Sequence, residues 1–298
     1  MPLYDGPIID SHIHLFDTRR AQGIPWPAPG DVRYEPSLPE HYRPLASAHG
    51  ITRAIVVEAS PWFDDNQWLA RVLHEATASS VGQDVDIAGY VGNLDLRDSR
   101  FERQLTELID NTPLLGLRYG NLWERSLLED MQRPECMTAL RALSEHRLAL
   151  DSANPDPALI KALLHITDAL PMLTVIVDHL PNAQVPVAAR DAYEHDLRSL
   201  ASRPTVFAKL SEIPQQIDGT TVLDPTRYQS RFDLLAAEFG EDRILFGSDW
   251  PNSKALATFD DTVTLTKHLM RGRSPVACAK FFADNAVRAY GLTDRGSR

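Results

Sequence analysis

The sequence is poor in cysteine, in basic runs and in long apolar stretches. Its two cysteines, Cys136 and Cys278, lie far apart without C-x-x-C spacing, so we predict neither a disulfide framework nor a thiolate zinc site. The formal net charge of −11 and the lack of a Lys/Arg-rich segment argue against a nucleic-acid partner. No stretch has the length and apolar character of a membrane span, and no basic leader precedes an apolar segment. We therefore expect a cytoplasmic protein without nucleic-acid or membrane partners.

The composition is that of a folded enzyme-sized protein. Of the 298 residues, 43% are hydrophobic and 24% are charged, which is typical of a globular domain with a sizeable core. We find no internal repeat and no linker-like segment, so residues 1–298 are predicted to form a single domain. The sequence leaves open whether the chain forms a homo-oligomer.

Eight short apolar runs alternate with segments of helical periodicity, which predicts βαβ units and a parallel sheet. The predicted strands are Ile8–Ile13, Ala54–Ala59, Ile87–Val91, Leu114–Tyr119, Leu148–Ser152, Leu173–Asp178, Val206–Leu210 and Ile244–Ser248. The predicted helices are Asn66–Ser79, Arg100–Asn111, Pro134–His146, Pro157–Ala169, Ala188–Ala201, Gln229–Phe239 and Phe259–Leu269. The segments Gln22–Pro39 and Pro214–Pro225 are predicted to be long loops, and Asp294–Arg298 a frayed tail.

Eight strands that alternate with helices close most simply as a (β/α)₈ TIM-type barrel of the α/β class, with its functional groups at the carboxyl ends of the strands. A doubly wound open sheet is the alternative, but no Gly-x-Gly-x-x-Gly motif follows the first strand to bind a dinucleotide.

The first strand ends in Asp10-Ser11-His12-Ile13-His14. Because side chains alternate along a strand, Asp10, His12 and His14 are predicted to share one face. Two imidazoles that point into one cavity can chelate a divalent cation or carry protons. A chance H-x-H pair among ten histidines is the structural alternative, but its position just before a loop favours function.

Two further strand ends carry polar groups. Asp178-His179 ends the sixth run, where a hydrogen-bonded structural histidine is the alternative interpretation. Asp249 follows the eighth run, where it could simply cap a turn before Pro251. In a closed barrel the eighth strand lies beside the first, so Asp249 is predicted to lie next to His12 and His14, as a metal ligand or as the base that activates water.

Together these motifs resemble the amidohydrolase superfamily, and specifically its lactone-hydrolase branch, which includes 2-pyrone-4,6-dicarboxylate lactonase, sugar-acid lactonases and sulfomuconolactonase. Gly116-Leu117-Arg118-Tyr119, Lys209-Leu210-Ser211 and the segment 285–292 add to the resemblance. No lysine ends the fourth or fifth run, and the fifth carries Asp151 in place of a histidine, so a binuclear centre with a bridging carbamylated lysine is not expected.

The resemblance implies roles for six residues. The catalytic residues, and the ligands of a metal if one is bound, would be His12, His14, His179 and Asp249, while Arg118 and Lys209 would contact the substrate. Two further substrate-binding candidates are Asp151, which ends the fifth run, and Trp26, which could form part of an apolar wall for a ring-shaped substrate. The expected cofactor is one divalent metal ion, zinc first, although lactonases of this branch work both with and without a metal. For Arg118 and Lys209, an ion pair with a neighbouring carboxylate is the structural alternative.

The resulting hypothesis is a hydrolase that opens a lactone, either a sugar-acid lactone or another small carboxylated lactone, with an activated water. A metal-dependent non-oxidative decarboxylase of an aromatic acid is the alternative within enzymes. A catalytically silent ligand-binding barrel is the alternative from another class, but such a site has no need for a base beside imidazoles.

Overall fold

A computed structural model describes residues 3–78 and 85–292, and these residues form the predicted barrel. Its eight parallel strands are β1 (Ile8–Ile13), β2 (Ile51–Val57), β3 (Asp86–Gly92), β4 (Leu114–Arg118), β5 (Ala149–Ser152), β6 (Val175–Val177), β7 (Val206–Leu210) and β10 (Ile244–Phe246). They pair in that order around the sheet, so each strand neighbours the next one along the chain. Every predicted strand is present.

The barrel closes between β10 and β1. Residue Ile13 forms a parallel bridge with Trp250, and the His14 amide donates a hydrogen bond of 2.7 Å to the Trp250 carbonyl. On the opposite side of the bridge, the Asp249 amide donates to the His12 carbonyl at 2.9 Å. The backbone that closes the barrel therefore also holds Asp249 beside the H-x-H pair, as predicted for adjacent first and eighth strands.

Helices cover the outside of the barrel. They are α1 (Pro39–Ser47), α2 (Phe63–Ala78), α3 (Phe101–Asn111), α4 (Leu127–Asp130), α5 (Pro134–Glu145), α6 (Pro157–Ala169), α7 (Arg190–Ala201), α8 (Thr226–Phe239), α9 (Phe259–Leu269), α10 (Pro275–Ala279) and α11 (Asn285–Tyr290). The seven predicted helices are present and begin within three residues of their predicted starts. The predicted helix end at Ser79 and the predicted tail Asp294–Arg298 lie outside the described residues.

The second predicted loop is in part wrong. It contains an antiparallel hairpin of β8 (Gln215–Ile217) and β9 (Thr220–Val222), separate from the barrel sheet. Its two turn residues, Asp218 and Gly219, both have positive φ angles of 50° and 75°. Asp-Gly is a preferred pair for a two-residue turn of this kind, so the signal was present in the sequence.

The core has two parts. Outward-facing strand residues pack against the helices, and inward-facing residues such as Ile9, Ala149 and Phe207 fill the lower half of the barrel. Helix α11 joins the inner part through Ala286, Ala289 and Tyr290. The barrel is thus a packed interior whose open space lies at the other end, as in TIM barrels generally.

No helix within residues 3–78 and 85–292 is both long enough and apolar enough to cross a lipid bilayer.

Candidate active site

A cavity of about 220 Å³ opens where the strands end. It is lined by His14, Trp26, Glu58, Ala59, Arg118, Leu122, Trp123, Asn154, His179, Glu212, Asp249 and Asn252. Five of the lining residues are non-glycine residues with φ angles between 53° and 59°, namely Trp123, Asn154, His179, Glu212 and Asp249. Left-handed backbone at such residues costs free energy and tends to cluster at functional sites.

The first strand brings His14 to the cavity and places the fully buried His12 beside it, but turns Asp10 away. Strand pairing is irregular between Asp10 and Ile13, which breaks the simple alternation of faces. The Asp10 carboxylate accepts hydrogen bonds from Tyr42 Oη of α1 at 2.9 Å and from the Ser248 amide at 2.8 Å. The prediction that Asp10 shares a face with the histidines is therefore wrong, and Asp10 instead fastens β1 to the outer layer.

His14 is oriented toward Asp249 by the backbone. Its Nδ1 lies 2.9 Å from the Val57 carbonyl oxygen, which can only accept, so Nδ1 carries a proton. In neutral imidazole the lone pair is then on Nε2, which faces an Asp249 carboxylate oxygen at 3.2 Å. Two acceptors at this distance require a cation between them, either a proton or a metal ion.

His12 faces the same carboxylate oxygen. Its Nε2 lies 3.6 Å from Asp249 Oδ1, is fully buried and has no hydrogen-bond partner. The other Asp249 oxygen accepts a hydrogen bond of 2.6 Å from the Asn252 side chain. A divalent metal such as zinc prefers ligands of the kinds found here, which are the unpaired His12 Nε2, the lone pair on His14 Nε2 and the Asp249 carboxylate.

Three groups of side chains in the described residues have ligand atoms within 4.8 Å of one another. These groups are His12 with His14 and Asp249, His12 with Asp178 and His179, and His179 with Glu212 and Asp249. The four predicted ligands are thus close in space, but no single group contains all four of them. The group of His12, His14 and Asp249 fits a metal best because of the orphaned His12 Nε2.

His179 stands apart from that group. Its Nδ1 lies 2.9 Å from Ser211 Oγ, and its Nε2 lies 3.5 Å from an Arg118 nitrogen that can only donate. The His179 ring nevertheless stacks obliquely on His12, with centroids 4.5 Å apart. His179 is therefore held by protein partners at the cavity wall.

Below the cavity lies a buried group of charged residues. Lys209 Nζ is 2.7 Å from Asp151 Oδ2, 2.9 Å from Asp178 Oδ1 and 3.2 Å from His12 Nδ1. Tyr290 of α11 donates to Asp151 Oδ2 at 2.7 Å and accepts from Lys209 at 3.0 Å. We call Asp151, Asp178, Lys209 and Tyr290 the buried polar layer.

Two of the predicted substrate contacts, Lys209 and Asp151, belong to this layer. Both side chains are fully enclosed, and neither lines the cavity. The structure thus matches the alternative noted for Lys209, an ion pair with carboxylates, and their predicted contact with substrate stays a prediction. The other two, Arg118 and Trp26, line the cavity, and the Trp26 ring lies 5.8 Å from that of His14.

Several cavity residues had no specific role assigned from the sequence. Glu58 ends up in the cavity wall, where Trp123 Nε1 and the Ser60 amide donate to its carboxylate. Glu212 directly follows the Lys209-Leu210-Ser211 motif, and Asn252 lies three residues after Asp249, so both had a positional signal. Tyr290 does not line the cavity, and its signal in the sequence was its place in the segment 285–292, which contributes to the resemblance.

Burial and charge together set the protonation of the site. Burial raises the pKa of Asp249, but the electrostatic effect of His179 and the close contact with His14 outweigh it, so this pKa falls below the usual range. Burial and the Lys209 charge lower the pKa of His12. Burial lowers the pKa of Lys209, yet Asp151 and Asp178 more than compensate and raise it. At neutral pH the site therefore holds an ionised Asp249, a neutral His12 and a charged Lys209.

The amidohydrolase family model matches residues 9–292, so the chain belongs to the amidohydrolase family. Among curated proteins, the L-fucono-1,5-lactonase of Burkholderia ambifaria is 27% identical over 295 residues, which cover 97% of each chain.

Two solved structures share the fold. A zinc-bound amidohydrolase from Burkholderia multivorans is 24% identical with a TM-score of 0.79, over 96% of this chain and 99% of that one. A protein from Acinetobacter baumannii described as a 2-pyrone-4,6-dicarboxylic acid hydrolase is 17% identical with a TM-score of 0.71, over 95% and 99% of the two chains. The match to the family model confirms, at the level of the family, the resemblance that the motifs indicated.

Proposed function

We propose that this protein hydrolyses a lactone by adding water to the ring carbonyl. The Asp249 carboxylate oxygen lies 3.6 Å from His12 Nε2 and 3.2 Å from His14 Nε2, and this arrangement carries the proposal. A carboxylate beside two imidazoles has the groups needed to activate water, whereas a site that only binds needs no base. The L-fucono-1,5-lactonase relative, which matches along nearly its full length, supports the choice of a cyclic ester.

In the proposed reaction, Asp249 accepts a proton from water as the water oxygen attacks the lactone carbonyl carbon. The carbonyl oxygen then carries negative charge, which the Arg118 guanidinium at the cavity wall stabilises. The ring C–O bond breaks, and Asp249 returns its proton to the leaving alkoxide. The product is a hydroxy acid, which releases one proton to solvent at neutral pH.

We propose that His12, His14 and Asp249 also hold one divalent metal ion, with zinc as the first candidate. The orphaned His12 Nε2 and the His14 lone pair both face this position. When bound, such an ion would lower the pKa of water at this position, so that the weakly basic Asp249 carboxylate would suffice as the proton acceptor. The buried polar layer also supports His12 from below through Asp178, whose carboxylate oxygen lies 3.6 Å from His12 Nδ1. We further propose that the chain works as one domain, which the extent of the family match supports.

The test is a panel of lactones assayed by proton release, with carbon dioxide release from aromatic acids measured on the same preparation. Hydrolysis of at least one lactone, lost in Asp249→Asn, is the expected result. Release of carbon dioxide without lactone opening would favour the decarboxylase alternative. Binding of lactones without turnover would favour a ligand-binding barrel.

A further inference from the structure

We infer that Glu58 binds a substrate hydroxyl and selects neutral, polyhydroxylated lactones over lactones that carry a carboxylate. The inference rests on the proposed lactone hydrolysis and assigns to that site the residue that sets its substrate class. It is carried by the placement of the Glu58 carboxylate and by the charge balance of the cavity.

Glu58 is held rigidly at the end of β2. Its amide donates a hydrogen bond of 2.9 Å to the Val91 carbonyl, and its side chain is 3% exposed. The Ser60 amide donates to Oε2 at 2.8 Å, and Trp123 Nε1 lies 3.2 Å from both carboxylate oxygens. A carboxylate has about four acceptor positions, so two donors leave acceptor capacity in a residue that lines the cavity.

That remaining capacity suits a hydroxyl group. A buried carboxylate with unused lone pairs is costly unless a donor completes it, and hydrogen bonds to a charged acceptor are stronger than neutral ones. Lactone hydroxyls are donors, whereas a substrate carboxylate is ionised at neutral pH and offers no donor. Glu58 therefore strengthens the binding of a substrate with a hydroxyl group at this position and weakens the binding of one with a carboxylate there.

The charge of the cavity points the same way. Among the described residues that line it, Glu58, Glu212 and Asp249 are carboxylates and Arg118 is the one residue with a fixed positive charge. The Arg118 guanidinium already lies 3.3 Å from Asp178 and 3.9 Å from Glu58. No positive side chain in this lining is left over to receive a substrate carboxylate, so a carboxylated lactone would be bound beside uncompensated negative charge.

The test uses Glu58→Gln, which keeps the shape and one acceptor while removing the charge. Two substrate classes are compared: neutral aldono-1,5-lactones and the carboxylated 2-pyrone-4,6-dicarboxylate. We expect the wild type to prefer the neutral class. In Glu58→Gln, kcat/KM for the neutral class should fall by about 10- to 100-fold, the effect of losing a hydrogen bond to a charged group. For the carboxylated class it should rise, because Arg118 loses one of its counter-charges.

Glu194→Gln is the matched control. Glu194 lies on α7, outside the cavity, where Arg231 donates to it at 2.8 Å. The same change of residue there should leave the ratio of the two substrate classes unaltered. An equal fall for both classes in Glu58→Gln would mean that Glu58 only supports Trp123 and Arg118, and would overturn the inference. A wild-type preference for the carboxylated lactone would overturn it as well.

Binding separates this inference from the proposed function. Calorimetry with neutral aldono-1,5-lactams, which resist hydrolysis, and with 2-pyrone-4,6-dicarboxylate measures selectivity without turnover. Selective binding of the lactam that Glu58→Gln abolishes, with no lactone hydrolysed by the wild type, would refute the proposed function alone. Lactone hydrolysis whose selectivity is unchanged in Glu58→Gln would refute the inference about Glu58 alone.

Discussion

The ammonium nitrogen of Lys209 lies 2.7 Å from a carboxylate oxygen of Asp151, and neither side chain is exposed to solvent. Breaking a buried ion pair leaves an uncompensated charge in a medium of low polarity. Lys209→Met should therefore lower the free energy of unfolding by about 3–5 kcal/mol, measured by urea denaturation.

Two variants complete this prediction. Lys280→Met removes the partly buried partner of the exposed Asp242 and should cost about 0–1 kcal/mol, as expected for a surface pair. The double variant Lys209→Met with Asp151→Leu removes both members of this pair and should recover part of the lost stability, although Asp178 keeps its charge. A Lys209→Met protein as stable as the wild type would contradict the ion-pair account.

Asp249→Asn tests the base directly. Asparagine keeps the volume of the side chain but accepts a proton far less readily, so kcat on the identified lactone should fall by about 10²–10⁴. KM should change much less, because the residue acts on the water in the reaction step. Near-normal turnover of a folded Asp249→Asn protein would show that another group moves the proton.

One metal equivalent per chain is expected from the group of His12, His14 and Asp249. After chelation and dialysis, adding zinc should raise the melting temperature, with about 2.7 kcal/mol of added stability at 100 times the dissociation constant. Metal analysis should find about one zinc in the wild type and none in His14→Ala. His195→Ala, on the exposed side of α7, should bind as the wild type does. Unchanged binding in His14→Ala would place the metal elsewhere.

Gly247 leaves room for His12. A Cβ atom at this position would lie 2.7 Å from His12 Cβ, closer than real carbon contacts, and His12 would have to move. Displacement of a site residue by about 1 Å can cost about 10²-fold in rate, so Gly247→Ala should lower kcat by about that factor. Gly240→Ala, at the end of α8 with a φ of 74° and open space around it, should lower stability without changing kcat. Equal kcat values for the two variants would argue against this role of Gly247.

The strand pattern predicted which residues would meet, because closure of eight strands places the last beside the first. His12, His14 and Asp249 were found in this way, and the backbone bonds across β1 and β10 explain why. The same pattern failed for Asp10, since an irregularity in strand pairing depends on neighbouring strands and leaves no mark in the alternation itself.

How deep a residue lies within the barrel also could not be predicted from the sequence. Lys209 and Asp151 were expected at the mouth because they occur late in their strands, but both side chains are fully enclosed and neither lines the cavity. The two residues lie 58 positions apart, and Tyr290 lies 139 positions from Asp151. Contacts over such separations are fixed by packing, so periodicity alone could not predict the buried polar layer.

The position of Tyr290 has a consequence for how the protein is made. Helix α11 follows every barrel strand along the chain, so during synthesis it leaves the ribosome after all of them. Until then Asp151 and Lys209 lack one hydrogen-bond partner, and the apolar residues at the lower end of the barrel lack the cover of Ala286 and Ala289. A nascent chain that is paused before this helix is therefore expected to expose the apolar residues at the lower end of the barrel to chaperones and proteases. This exposure ends when α11 is synthesised and covers them.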